Sequence, residues 1–174
     1  MADIGKQRMN NNRLLINADE MVAIAELMFD QGKSVIMAVP DNSMYPFLRH
    51  QVDKVEIFRV STKEISVSDI VLIKIDKDYR LHRVCKIGTE DYFAIADASA
   101  TSEGPYKISS IIGRVSAIYR KEKCIPCSSA VMCCCVFLWR MLRRFRPLII
   151  KTYLKFRLRS IKNEQIKRER VKDN

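Results

Sequence analysis

The chain has 174 residues, with 31 Lys+Arg against 20 Asp+Glu for a formal net charge of +11, 48% hydrophobic residues, and only five glycines and five prolines. The length suits one domain with a true core plus appendages. Five of the six cysteines crowd between Cys124 and Cys135; adjacent cysteines pair only with strain, so a reducing environment fits better than a disulfide framework.

Residues 1–32 read as a lead followed by a helix. Met1 to Asn12 carries no apolar run of the kind a secretory signal needs. Asn17 with Glu20 makes a capping pair, and Met21, Ile24, Ala25, Leu27 and Met28 recur at helical spacing until Gly32. The spacing predicts a helix over about residues 18 to 31. Its apolar stripe suits a membrane or a partner, but such stripes more commonly pack on their own domain.

Residues 33–120 read as a β-domain. Short runs at about 34–39, 53–60, 70–76, 79–86, 92–97 and 111–120, with Asp76-Lys77-Asp78 as a hairpin turn, predict a mainly β, antiparallel, coiled sheet. Val71, Ile73 and Ile75 alternate with Leu72, Lys74 and Asp76, so this strand is apolar on both faces near its start and runs through the core.

The stretch Asp41-Asn42-Ser43-Met44-Tyr45-Pro46-Phe47-Leu48 follows the first of these strands. It reads as a tight turn in which Pro46 restricts the backbone and an anchored Met44 turns the Ser43 hydroxyl outward, the placement a nucleophile needs. The bland alternative is a polar loop between strands. About forty residues on, Tyr79-Arg80-Leu81-His82-Arg83-Val84 puts one of the two histidines on a strand. Neutral imidazole takes a proton from a serine hydroxyl near neutral pH. A lone strand histidine is more often a packing residue; the pairing with Ser43 favours nucleophile and base. Asp97 and Glu103 are the acids available to orient His82 and to stabilise its imidazolium, the part played by the third member of a triad. Either is otherwise a solvated loop acid.

These blocks together are similar to the type I signal peptidases. Ser43-Met44-x-Pro46, Asp53-Lys54-Val55, Ser68-Asp69-Ile70-Val71, Leu81-His82-Arg83-Val84, Asp97 and Ile112-Gly113-Arg114-Val115 resemble, in order, the motifs of the serine-histidine branch found in the endoplasmic reticulum, archaea and some Gram-positive bacteria. Small bacterial signal-peptidase-like proteins look closer still, since Gly32-Lys33-Ser34-Val35 and Pro46-Phe47-Leu48-Arg49 resemble theirs. The related self-cleaving repressors carry lysine at the place of His82. The resemblance covers about residues 33 to 120 and implies the coiled β-fold, a serine endopeptidase without metal or organic cofactor, Asp97 at the family's acid position and a second acid at Glu103, where a glutamate is usual in the closer relatives. It also implies an oxyanion site made chiefly of the Ser43 N–H. The chain departs from the pattern where the family has turn glycines: Asp41, Val52, Ser68 and Ala96 stand there. Asp41 puts negative charge near the oxyanion position, which opposes catalysis if the side chain points inward.

Residues 121–174 change character. Residues 1–119 carry 15 Lys+Arg against 16 Asp+Glu, whereas 120–174 carry 16 against 4. The uncharged stretch ending in Val131 to Trp139 is shorter than the roughly 20 apolar residues that span a bilayer. Beyond it Leu138, Met141, Leu142, Phe145, Leu148, Ile149, Tyr153 and Phe156 interleave with eight Lys and Arg between Arg140 and Arg159, predicting a basic amphipathic helix at an anionic membrane surface. Packing on the β-domain or on a second copy is the competing reading, and no nucleic-acid motif accompanies the charge. Cys124-Ile125-Pro126-Cys127 has redox or zinc spacing but lacks a second pair, and Cys133-Cys134-Cys135 are conceivable acylation sites. The expectation is a serine endopeptidase, with Ser43 nucleophile, His82 base, Asp97 orienting acid and Glu103 possible second acid. It would cleave a peptide or protein precursor near a membrane, on the cytoplasmic side. A non-catalytic or weakly catalytic peptide-binding module is the alternative.

Overall fold

The computed structural model describes residues 18–76, 78–156 and 159, and among these eight strands form one antiparallel sheet. The strands are β1 (Val35–Ala38), β2 (Asp53–Phe58), β3 (Ile70–Ile75), β4 (Asp78–Ile87), β5 (Asp91–Ile95), β6 (Ser102–Lys107), β7 (Ile111–Arg120) and β8 (Lys123–Pro126). Their order is β1-β2-β7-β3-β4-β5-β6, with β8 also on β7. The ten residues of β7 are long enough to pair with β2 from Arg114 to Arg120, with β3 from Ile111 to Arg114 and with β8 from Ala117 to Arg120.

Alternation along the strands builds two apolar clusters. One gathers Val22, Ala25 and Phe29 of α1 (Ala18–Asp30) with Met44, Leu48, Leu72, Leu81 and Ile118; the other gathers Val71, Ile73, Val84, Tyr92 and Ala94. The successive residues Val71 and Leu72 therefore serve opposite clusters, as the apolar start of β3 predicts. Each large side chain withdrawn from water contributes about 1.5–3 kcal/mol. Gly113 lets β2 and β7 close over α1: a Cβ there would lie 2.7 Å from Ile57 Cγ2 and 2.9 Å from the Phe58 carbonyl oxygen.

Six strands lie within two residues of the sequence-based expectation, and α1 stops one residue early. The Asn17 cap and Lys77 of the hairpin turn lie outside the described residues. Two strands were not expected. β6 contains Gly104-Pro105, which reads as a loop, but it stands at the end of the sheet, where proline's missing N–H costs no ladder bond. β8 carries the sheet past the domain boundary expected after Arg120. It leads into α2 (Ala130–Met141), where the Ser129 hydroxyl accepts the Met132 N–H at 3.3 Å, and residues 146–156 are helical again.

Candidate active site

The turn after β1 is anchored from below. Met44 and Leu48 are fully buried, the Tyr45 N–H donates to the Asn42 carbonyl at 3.1 Å, and the Leu48 N–H donates to the Met44 carbonyl at 3.0 Å. Ser43, held between these points, is half-buried. Its N–H donates to Asp41 Oδ1 at 2.8 Å. That N–H is the donor expected to receive an oxyanion, so in this conformation a carboxylate occupies the position where negative charge would develop.

His82 lies near the middle of β4, opposite Val71, and is 3% exposed. Its Nδ1 lies 2.6 Å from the carbonyl oxygen of Leu81. A carbonyl only accepts, so Nδ1 carries a hydrogen, and in the neutral ring the lone pair is then on Nε2, the tautomer a general base needs. Nε2 is buried and has no hydrogen-bond partner among the described residues. The nearest carboxylate oxygen, Glu103 Oε1, stands 3.6 Å away: too far for a hydrogen bond to the neutral ring, close enough to pair with an imidazolium.

Glu103 is placed by the sheet, since Ala94 of β5 pairs with it across β6. The Tyr106 hydroxyl donates to Glu103 Oε2 at 3.0 Å and Arg80 Nη1 lies 3.5 Å from the same oxygen. Burial, then the Glu103 carboxylate, raise the Tyr106 phenol above its ordinary value, so it remains a donor at neutral pH.

Asp97 does not orient His82. Its carboxylate is fully buried and is held by Arg83, with Nε 2.9 Å from Oδ1 and Nη2 2.6 Å from Oδ2, while Arg83 Nη1 donates to the Ser68 carbonyl at 2.7 Å. The correction follows from strand geometry. His82 and Arg83 are successive residues and point to opposite faces of β4, and the acid went to the guanidinium. The structure thus brings Glu103 to His82 and Asp97 to Arg83. Ser43 is tied to the Asp97 loop, since the Ala98 N–H donates to the Ser43 carbonyl at 2.8 Å. No hydrogen bond joins Ser43 to His82 among the described residues.

His50, and the structural parts played by Asp53 and Ser68, escaped the sequence reading. The second histidine, His50, braces the turn: its N–H donates to Asn42 Oδ1 at 3.2 Å and its Nδ1 to the Val39 carbonyl at 2.9 Å. Asp53, fully buried, receives Arg49 at 3.1 Å and Arg120 at 2.8 Å. Burial alone would raise the Asp53 carboxyl, but the two guanidiniums outweigh it and hold it below its ordinary value. Ser68 stands at φ 87°, in the left-handed region that favours glycine, at a place where the resembled family carries one.

The tail packs on this region through three of its arginines and two of its aromatic rings, while Arg144, Lys151 and Lys155 are exposed. Arg140 donates to Ser68 Oγ at 3.0 Å, Arg143 to the Ala100 carbonyl at 2.7 Å, and Arg146, 1% exposed, to the Trp139 and Ser99 carbonyls at 3.1 and 3.3 Å. Burial lowers the Arg146 guanidinium, offset in part by Asp97. Trp139 donates to the Asp97 carbonyl at 2.9 Å and sits edge-on to Phe47, and Tyr153 lies against Tyr45 with ring centroids 5.8 Å apart. These arginines therefore face the domain, while Phe137, Leu138, Met141, Phe145, Leu148 and Phe156 are each more than half exposed. No described helix is long and apolar enough to cross a membrane.

All six cysteines are free thiols, with Cys133, Cys134 and Cys135 exposed. No group of His, Cys, Asp and Glu among the described residues is arranged to hold a metal ion, and burial pushes the Cys127 thiol up to about 11, away from the thiolate that zinc or redox chemistry needs. No protein-family model matches the chain, and no curated protein matches it.

Proposed function

We propose that the chain is a serine endopeptidase of the signal-peptidase type, with Ser43 as nucleophile, His82 as general base and Glu103 as the acid that stabilises the imidazolium. The observation that carries this reading is the His82 ring: Nδ1–H is fixed on the Leu81 carbonyl, and the buried Nε2, which carries the lone pair of the neutral ring, has no hydrogen-bond partner among the described residues and a carboxylate 3.6 Å away. An orphaned buried acceptor costs about 1–3 kcal/mol in a residue that merely packs, whereas a base awaiting a proton requires one. In the reaction, Ser43 Oγ attacks the scissile carbonyl as its proton passes to His82 Nε2. The imidazolium pairs with Glu103 and then protonates the leaving amine, and water releases the acyl-enzyme. Catalytic hydrogen bonds commonly tighten only with substrate bound, so the Ser43–His82 bond forms as the peptide enters. Asp41 swings off the Ser43 N–H, which then receives the oxyanion.

The exposed apolar stripe from Phe137 to Phe156 supports a membrane surface as the second partner, and the six free thiols fit the cytoplasmic side. Substrates would then be precursors or small peptides presented near that surface. One observation favours a second reading, a peptide-binding module with little or no hydrolysis: Asp41 occupies the oxyanion donor at 2.8 Å. Cleavage of a mixed peptide library, read by mass spectrometry, tests between them. Peptidase activity lost in both Ser43→Ala and His82→Ala, with both variants folded, supports the first reading. Peptide binding without cleavage by the parent supports the second.

A further inference from the structure

Between α2 and the sheet lies a cavity of about 640 Å³ that none of Ser43, His82, Asp97 and Glu103 lines. Its size falls within the range of small-molecule sites. One side is apolar, built from Phe58, Ile70, Val115, Met132 and Val136. Cys127 adds to that side, since burial pushes its thiol up to about 11 and it stays uncharged at neutral pH.

The other side is cationic, with three arginines against one carboxylate, Asp69. Arg83 is spent on Asp97 and the Ser68 carbonyl. Arg114 uses only Nη1, on the Glu64 carbonyl at 2.9 Å and Asp69 at 3.4 Å, and Arg140 uses only Nη1, on Ser68 Oγ. Both therefore keep Nε and Nη2 donors without a protein partner among the described residues. A guanidinium cannot shed its charge, and a carboxylate or phosphate accepts two of these donors at once, which a neutral or cationic guest does not.

We infer that this cavity binds an anionic amphiphile, its acyl chain on the Phe58–Val136 side and its carboxylate or phosphate head on Arg114 and Arg140. The site is independent of the peptidase reading, because it shares no reacting residue with it. Phe137 and Arg140 line the cavity and also belong to the exposed part of α2, so the guest enters from the side where the tail is apolar.

Calorimetric titration of the full chain with monomeric palmitate, hexadecanol and inorganic phosphate tests the inference. Palmitate should bind saturably, one per chain, and at least about tenfold more tightly than hexadecanol or phosphate, the scale of one charge-assisted head contact. Arg114→Ala with Arg140→Ala should lose about the same factor. Met132→Trp and, separately, Val136→Phe should abolish binding of palmitate while retaining cooperative urea unfolding. Phe145→Ser with Leu148→Ser, on the outer face, should change nothing. Equal affinity for palmitate and hexadecanol, unchanged binding in the double arginine variant, loss of binding in the outer-face variant, or no saturable binding would each overturn the inference. Lipid extracted from protein re-isolated after incubation with phosphatidylglycerol vesicles separates the sources: one phospholipid per chain, absent from Met132→Trp, assigns a bilayer lipid, and palmitate binding without such uptake assigns a free long-chain acid.

Discussion

Asp41 Oδ1 accepts the backbone N–H of Ser43 at 2.8 Å, so the residue standing where the resembled peptidases carry glycine closes the donor that their chemistry uses. Asp41 is exposed and, among the described residues, held by this one hydrogen bond, which makes it a removable obstacle rather than part of the core. Asp41→Gly should therefore raise kcat/KM for peptide cleavage by about tenfold or more, because a single oxyanion donor is typically worth a factor of 10² to 10³. An unchanged or lower rate would mean that the Ser43 N–H is not the oxyanion donor.

The two acids should separate cleanly. Asp97→Ala strands a buried guanidinium and should destabilise the fold by about 3–5 kcal/mol in urea, whereas Glu103, 41% exposed, should tolerate Glu103→Gln within about 1 kcal/mol. Cleavage should behave in the opposite sense, with Glu103→Gln folded yet slower by about tenfold or more. A folded, fully active Glu103→Gln would remove Glu103 from the mechanism.

Asp53 should shape the acid limb of stability. Its folded pKa lies below the ordinary value because Arg120 and Arg49 outweigh the effect of burial. The stabilisation is thus fully present above the unfolded carboxyl value near 3.8 and is lost as pH falls through the lower folded value. Asp53→Asn should lower stability at pH 7 and flatten the loss measured between about pH 5 and pH 2. An acid limb as steep as the parent's would contradict this assignment.

Of the aromatic and aliphatic residues in the tail, only those facing outward should serve a membrane. Replacing Leu138, Met141, Phe145 and Leu148 by serine should abolish the salt-resistant part of sedimentation with anionic vesicles while leaving the urea midpoint nearly unchanged. Trp139→Ser should do the reverse, since its indole N–H is bonded to the Asp97 carbonyl and its ring meets Phe47. If vesicle binding is absent at low salt, the outward stripe has another partner.

How far the sequence carried these conclusions depended on the kind of signal. Short apolar and β-branched runs located β1 to β5 and β7 because each strand lends at least one face to an apolar cluster and β3 lends both. It missed β6, whose Ser-Glu-Gly-Pro-Tyr-Lys has no apolar face to betray it. The Ser43 turn was legible through the buried Met44. The partner of Asp97 was not, because alternation says that His82 and Arg83 point apart without saying which face the Asp97 loop approaches. In the tail, interleaved arginine and leucine pointed to one amphipathic helix, but the chain breaks it between Leu142 and Phe145, and which face meets the domain turned on carbonyls of Ser99 and Ala100 that no side-chain pattern records.

Covalent labelling of Ser43 tests the proposed chemistry most directly. A fluorophosphonate reagent incubated with the full chain, followed by tryptic digestion and mass spectrometry, should give a single adduct on Ser43, formed faster in Asp41→Gly and abolished in a folded His82→Ala variant. Absence of the adduct from both the parent and Asp41→Gly, or its formation at an unchanged rate in His82→Ala, would contradict a Ser43–His82 peptidase.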